Sequence, residues 1–318
     1  MDMVSGHLVQ HAQQIAGEVA ARAVLIYADA VGGADELRQV LQVVTFPAIL
    51  VSRSTEAVSM AGFESHTWIR VPNVHMTRAG QIQSALLVCL ARGLLQKGDR
   101  VVCLGGVDGS PGIDTLLVLN LGTELELFSL AGAPDLADDV APEVFERILT
   151  LATQLAVEGR EGRPVGTLFV LGDSERVLSQ SRRLVLNPFH GYAETERNLL
   201  DPNLEETIKE FSAVDGAFVV RGDGVVLTAG TLLLPLTSRT PLSSGLGARH
   251  AAAAGITNST GAVAVCVSES TGTVSVFSGG QMVTDIRRHP WRGVSEQNVA
   301  KELSSSGERR DGTPPPPG

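Results

Sequence analysis

Three short stretches carry residue types able to handle a phosphorylated ligand. The first, Asp215-Gly216-Ala217, opens an apolar strand. Asp-Gly is an ordinary turn dipeptide. Read chemically, a carboxylate at a strand edge followed by two residues with almost no side chain admits a ligand close to the backbone. The second is Arg249-His250 in SSGLGARHAAAAG, a glycine-containing loop that enters an Ala-rich helix. A helix start presents free N–H groups and partial positive charge, and arginine adds a forked cation matched to phosphate oxygens. A purely structural helix start explains the same residues. The third is Ser268-Glu269-Ser270-Thr271-Gly272, a polar turn after an apolar strand. It offers a hydroxyl for phosphate and a carboxylate for a divalent metal, or it is a plain hairpin turn. A further Gly-rich turn, GGVDGSPG at 105–112, also follows a strand. It matches neither the P-loop nor GxGxxG, no lysine follows it, and it reads as scaffold.

The elements that must position these residues follow from apolar periodicity. Residues 6–20 place Leu8, Ile15 and Val19 at helical spacing, and Ala21–Tyr27 follows as an apolar strand. A helix at Asp35–Val44 leads to a strand at Ala48–Val51. A longer helix, Thr77–Leu95, starts at a threonine cap, and the strands Arg100–Leu104 and Leu116–Leu119 come next. Strand and helix alternating at these spacings predict a parallel α/β layer with buried strands. The apolar run stops near Ala131-Gly132-Ala133-Pro134, and Asp135, Asp138 and Asp139 open a new helix. Its body, 141–158, carries the stripe Val144, Ile148, Leu151 and Leu155. Beyond it we expect the strand Gly166–Leu171, the helix Leu204–Ser212, strands at Ala217–Val220 and Val225–Leu227, the helix Arg249–Ala254, and strands at Ala262–Val267 and Val274–Phe277. Past residue 293 the pattern ends in SSSGERRDGTPPPPG, whose composition predicts disorder. The expected organisation is an α/β domain over 1–131, a second over 132–292, and a disordered tail over 293–318.

Composition narrows the classes. A chain of 318 residues that is 43% hydrophobic has apolar material for two packed cores, and with aromatics at 4% those cores must be built from Val, Leu, Ile and Ala. A net charge of −10 without a Lys/Arg cluster argues against nucleic acid as a partner. The stretch 215–290 balances five arginines against four acids, so it can accept a polyphosphate without strong repulsion. Cys89, Cys103 and Cys266 all lie in apolar runs without a CxxC pair, which points to buried thiols in a reducing compartment. No signal-like start and no run of about 18 apolar residues is present, so we expect a cytoplasmic protein with no membrane partner.

In combination the three stretches resemble the diadenylate cyclase family: Asp-Gly-Ala, then a Gly-x-Arg-His loop, then a Val-Ser-Glu-x-Thr-Gly turn, in that order. The strand GTLFV at 166–170 and the segment 187–218 are similar to the version found in archaeal-type two-domain cyclases. In those proteins an α/β domain likened to the pyruvate kinase C-terminal domain comes first. The resemblance is detailed over 166–280 and architectural over 20–130. It implies a mixed-sheet α/β cyclase domain following the parallel layer, and condensation of two ATP into cyclic di-AMP with release of two pyrophosphates. Asp215 would coordinate a divalent metal, Mn or Mg, and help deprotonate the ribose 3′-hydroxyl. Gly216 and Ala217 would let the nucleotide lie against the strand, and the region of Leu236 would meet the adenine. Gly247, Arg249 and His250 would hold the phosphates, with Ser268 adding a contact and Glu269 near the metal. One domain binds one ATP, so self-association with facing domains is implied. The chain departs from the family pattern in having Ala248 before Arg249 and Ala251 after His250, where many members have Thr and a second Arg. Arg239 or Arg221 is then expected to compensate. The departure also motivates an alternative, a catalytically weak module that binds ATP or a cyclic dinucleotide.

Overall fold

The computed structural model describes residues 2–54, 62–106, 112–121, 140–160, 163–235 and 247–287. The boundary expected near 132, the tail, most of the Gly-rich turn at 105–112, Leu236 and Arg239 lie outside the described residues.

The first half forms a five-stranded sheet in the order β3-β2-β1-β4-β5. Its strands are β1 (Ala23–Tyr27), β2 (Ala48–Ser52), β3 (Thr67–Arg70), β4 (Arg100–Gly105) and β5 (Thr115–Asn120). Every residue of β1 is buried because the strand is central and covered on both faces. Val24 and Ile26 pack with α1 (Met3–Glu18) and α2 (Ala34–Val43) on one face, while Leu25 and Tyr27 join the core on the other, with α3 (Arg78–Ala91). The first four strands are parallel, as the periodicity predicts. β5 instead returns antiparallel to β4, because the link from Gly105 to Thr115 is too short for a crossover. β3 is short and largely exposed, and its sequence gave no strand signal.

The second half is a mixed seven-stranded sheet in the order β12-β11-β10-β6-β8-β9-β7. Its strands are β6 (Thr167–Leu171), β7 (Ser181–Arg183), β8 (Ala217–Val220), β9 (Val226–Leu233), β10 (Val263–Val267), β11 (Val274–Ser278) and β12 (Gln281–Ile286). Only the β6–β8 pair is parallel. Helix α4 (Pro142–Glu158) packs its predicted stripe against Phe169, Phe218 and Val265 on one face. After α5 (Ser174–Ser179) and α6 (Glu205–Phe211), α7 (Ala248–Ser259) covers the other face, meeting Leu168, Ala217, Ala264 and Phe277. Its alanines let it lie close to the sheet, and it runs past the expected end at Ala254. β9 likewise extends beyond the expected Leu227, and β7, β12 and α5 were not anticipated.

One apolar cluster runs continuously from the first sheet through α3 and α4 to the second. α3 is buried at every position from Gly80 to Cys89, because it is packed by the first sheet on one side and by α4 and β12 on others. Among the described residues no helix is long and apolar enough to cross a membrane.

Candidate functional site

Strand register brings the three sequence stretches together. β10 pairs antiparallel with β6 so that Val267 faces Thr167, and β6 pairs parallel with β8 so that Leu168 faces Ala217. Gly166, Asp215-Gly216 and Ser268-Glu269 therefore lie at one end of three neighbouring strands. α7 links β9 to the far end of β10, which leaves its own N-terminus at the same end as these residues. Its first turn, Ala248-Arg249-His250, presents backbone N–H groups that no preceding helical turn can satisfy. Gly247 is the N-cap, exposed, and supplies no side-chain cap.

Arg249 joins the pieces. Its Nη1 lies 3.2 Å from Glu269 Oε2 and its Nη2 lies 3.5 Å from Asp215 Oδ1. The Asp215 side chain is 91% exposed and that of Glu269 60%, so both pairs are solvent-screened and weak. They are contacts that an arriving ligand can exchange.

The glycines have specific steric reasons. A Cβ on Gly166 would sit 2.4 Å from Arg249 Nη1 and 2.9 Å from Glu269 Cβ, so the strand start is bare to seat the guanidinium. Gly216 has φ +110°, and a Cβ there would meet the Thr231 backbone nitrogen at 2.5 Å. Glycine is thus required by the backbone turn and by close packing on β9. Ala217 is buried in the core beneath α7, where it pairs with Thr231 across the sheet.

His250 turns inward. It is only 6% exposed, packs edge-on to Phe277 at 6.0 Å between ring centroids, and has Nε2 3.3 Å from Ser275 Oγ. Burial holds its pKa below the usual histidine value; the Asp285 carboxylate acts the other way and the Arg249 guanidinium acts with burial. Ser268 Oγ accepts from the Thr271 N–H at 3.3 Å, and the Ser268 N–H donates to the Thr273 carbonyl at 2.9 Å, which shapes the turn carrying Glu269. Sequence reasoning missed Gly166 as a seat for arginine, and it missed Ser275 and Asp285. The alternation in VSVFS at 274–278 places Ser275 on a buried strand, but nothing local assigns its partner.

Arg221 cannot replace the second arginine absent at Ala251. It follows β8 at the end away from Asp215, roughly 13 Å along the strand from Ala217. There it binds Glu194 and Asp223, with contacts of 2.6 and 2.7 Å.

Among the described residues no cluster of three or more His, Cys, Asp or Glu could hold a metal by itself. Asp215 and Glu269 nevertheless both turn toward one cationic group, Arg249. Two hard oxygen ligands are a fitting protein share for Mg²⁺ or Mn²⁺ when phosphate oxygens and water complete the shell. The three cysteines are buried free thiols, and burial raises the pKa of Cys89 and Cys266 to about 12.

The family model described as DisA bacterial checkpoint controller nucleotide-binding matches residues 154–282, and that described as probable sensor domain DacZ_P matches residues 5–128. A diadenylate cyclase from Methanocaldococcus jannaschii is 38% identical over 203 residues, covering 64% of this chain and 64% of the relative's own length. One from Haloferax volcanii is 33% identical over 226 residues, covering 70% of this chain and 81% of the relative. A solved pyruvate kinase from Cryptosporidium parvum aligns with 38% of this chain and 23% of its own at 14% identity and a TM-score of 0.31, too slight a likeness to bear on the N-terminal layer.

Proposed function

The chain belongs to the diadenylate cyclase family, and from that premise we propose that it condenses two ATP into cyclic di-AMP and two pyrophosphates. The observation that carries the reading is the meeting of Asp215, Arg249 and Glu269 at one end of three neighbouring strands, beside the open first turn of α7.

In this reading the triphosphate lies across the α7 N-terminus. The N–H groups of Ala248, Arg249 and His250, which the helix itself leaves unpaired, face its oxygens, and Arg249 leaves its carboxylates to bind them. His250 contributes through its main chain, its ring being occupied below. Gly247, at which a Cβ would meet no atom of the described residues within 4 Å, lets the phosphates approach. Ser268 adds a hydroxyl contact, Gly216-Ala217 form the floor, and the region of Leu236 meets the adenine. Asp215 and Glu269 would hold the divalent metal, which supplies neutralisation of phosphate charge when bound. Asp215 also accepts the proton of the 3′-hydroxyl. Each 3′-oxygen attacks the α-phosphate of the opposite ATP in line and expels pyrophosphate, so two cyclase domains must face each other. The chain's own contribution is positioning and charge stabilisation. The domain limits 1–131 and 132–292, a pyruvate-kinase-like character for the first, and a cytoplasmic setting belong to the same reading.

The test is incubation of the pure protein with ATP and either Mn²⁺ or Mg²⁺, followed by chromatography of the nucleotides. Cyclic di-AMP is expected. Its absence with both metals overturns the reading, and tight ATP binding without product would instead identify a nucleotide-binding module, the outcome favoured by the lack of a second arginine at Ala251.

A further inference from the structure

The first turn of α7 has no side-chain cap, yet it must hold Arg249 in place. Its inward anchor is His250. Nε2 of that ring lies 3.3 Å from Ser275 Oγ on β11, and Ser275 Oγ lies 2.9 Å from Asp285 Oδ1 on β12. Ser275 and Asp285 are direct cross-strand partners. The proton inventory of this chain permits one arrangement. An ionised carboxylate only accepts, so the single hydroxyl hydrogen of Ser275 goes to Asp285. The serine oxygen is then left to accept, and the ring must donate from Nε2. Burial favours the neutral imidazole, which leaves one ring proton, on Nε2. The second Asp285 oxygen lies 3.7 Å from Arg287 Nε.

We propose that Ser275 and Asp285 are positioning residues for the phosphate-binding turn: they fix His250 as the Nε2–H tautomer and so pin the first turn of α7, with Arg249 on it. Neither residue belongs to the three stretches that suggest the chemistry, and neither touches the carboxylates of the site. They act through His250. The inference rests on the nucleotide-binding reading of that turn, so its test has a readout that does not depend on turnover.

The experiment uses the full ¹⁵N-labelled chain. Long-range ¹H–¹⁵N spectra report the tautomer of each of the seven histidines, with His250→Gln assigning the signal. The wild-type ring is expected to show the Nε2–H pattern. In Asp285→Ala the serine hydrogen is freed to turn toward the ring, and the signal should move toward the Nδ1–H form. In Ser275→Ala, kcat for cyclic di-AMP should fall about tenfold or more while KM for ATP stays within about threefold. Ser275→Thr, which keeps the hydroxyl, should recover most of the loss. Wild-type spectra and kcat in both alanine variants would overturn the proposal, as would a wild-type ring protonated on Nδ1. If one variant fails to fold, the other still decides. If the wild-type protein makes no cyclic di-AMP, it is the cyclase reading that fails. The positioning claim is then judged by the ring spectra and by ATP affinity in the same variants, where an unchanged pattern sinks it.

Discussion

Arg249 Nη2 lies 3.5 Å from Asp215 Oδ1, an ion pair joining the first turn of α7 to the turn before β8. With Glu269 on its other side, the guanidinium stands between the two carboxylates that would share a metal. A cation of the protein's own thus stands between two acidic groups, and in the proposed reading a bound phosphate draws it away. That arrangement sets the first two expectations.

Asp215→Asn keeps the shape of the turn and removes both the charge and the proton acceptor. Product formation should be abolished while the melting temperature moves little, since the side chain is 91% exposed. Chromatographic assay beside a thermal melt checks it, and full activity in the variant would show that the carboxylate is not part of the chemistry.

Arg249→Gln should weaken ATP binding by about 1.5–3 kcal/mol, the usual worth of hydrogen bonds to a charged group. In the same variant, with no nucleotide present, Mn²⁺ should bind more tightly than to wild type, because Asp215 and Glu269 lose their competing cation. Titration calorimetry reads both changes, and a drop in Mn²⁺ affinity would contradict the exchange.

Gly166→Ala places a methyl group 2.4 Å from Arg249 Nη1. The guanidinium end can move aside, but Glu269 Cβ at 2.9 Å can move only with its exposed turn, so the fold should survive while both Arg249 and Glu269 are displaced. Activity should fall about tenfold or more, in keeping with the sensitivity of transfer reactions to misplacement. An active, stable variant would mean that the observed seat of Arg249 is unimportant.

Gly80→Ala tests the junction of the two sheets. A Cβ there would meet the Arg287 carbonyl at 2.9 Å, a backbone atom with little freedom to yield. Overpacking of this kind costs about 1–3 kcal/mol, and urea unfolding should register it. Unchanged stability would indicate that α3 and the end of β12 part easily.

His250 makes stability depend on pH. Its folded pKa is depressed below 6.5 by burial, so the unfolded chain binds the proton more readily. The His250 contribution is therefore fully present above about pH 6.5 and is lost as pH falls from there toward the folded pKa. Melting temperatures of wild type and His250→Gln, followed from pH 8 to pH 5, should converge at the acid end. Parallel curves would mean that the ring does not titrate differently on folding.

The sequence by itself determined a good deal. Apolar periodicity located β1, β2, α3, β4, α4 and β10 to within a few residues, because burial on both faces leaves long apolar runs whatever the neighbours are. The order of Asp215, Arg249-His250 and Ser268-Glu269 along the chain carries the family resemblance from which the proposed chemistry follows. Tertiary structure decided which of them meet. Strand order β10-β6-β8 and its register place Gly166 and Asp215 beside Glu269, and no local pattern encodes a pairing between segments a hundred residues apart. The edge strands β3, β7 and β12 escaped the sequence reading because one-sided or partial burial leaves a weak apolar signal. The same cause hid Asp285, a charged residue in an edge strand whose purpose shows only when Ser275 and His250 are packed against it.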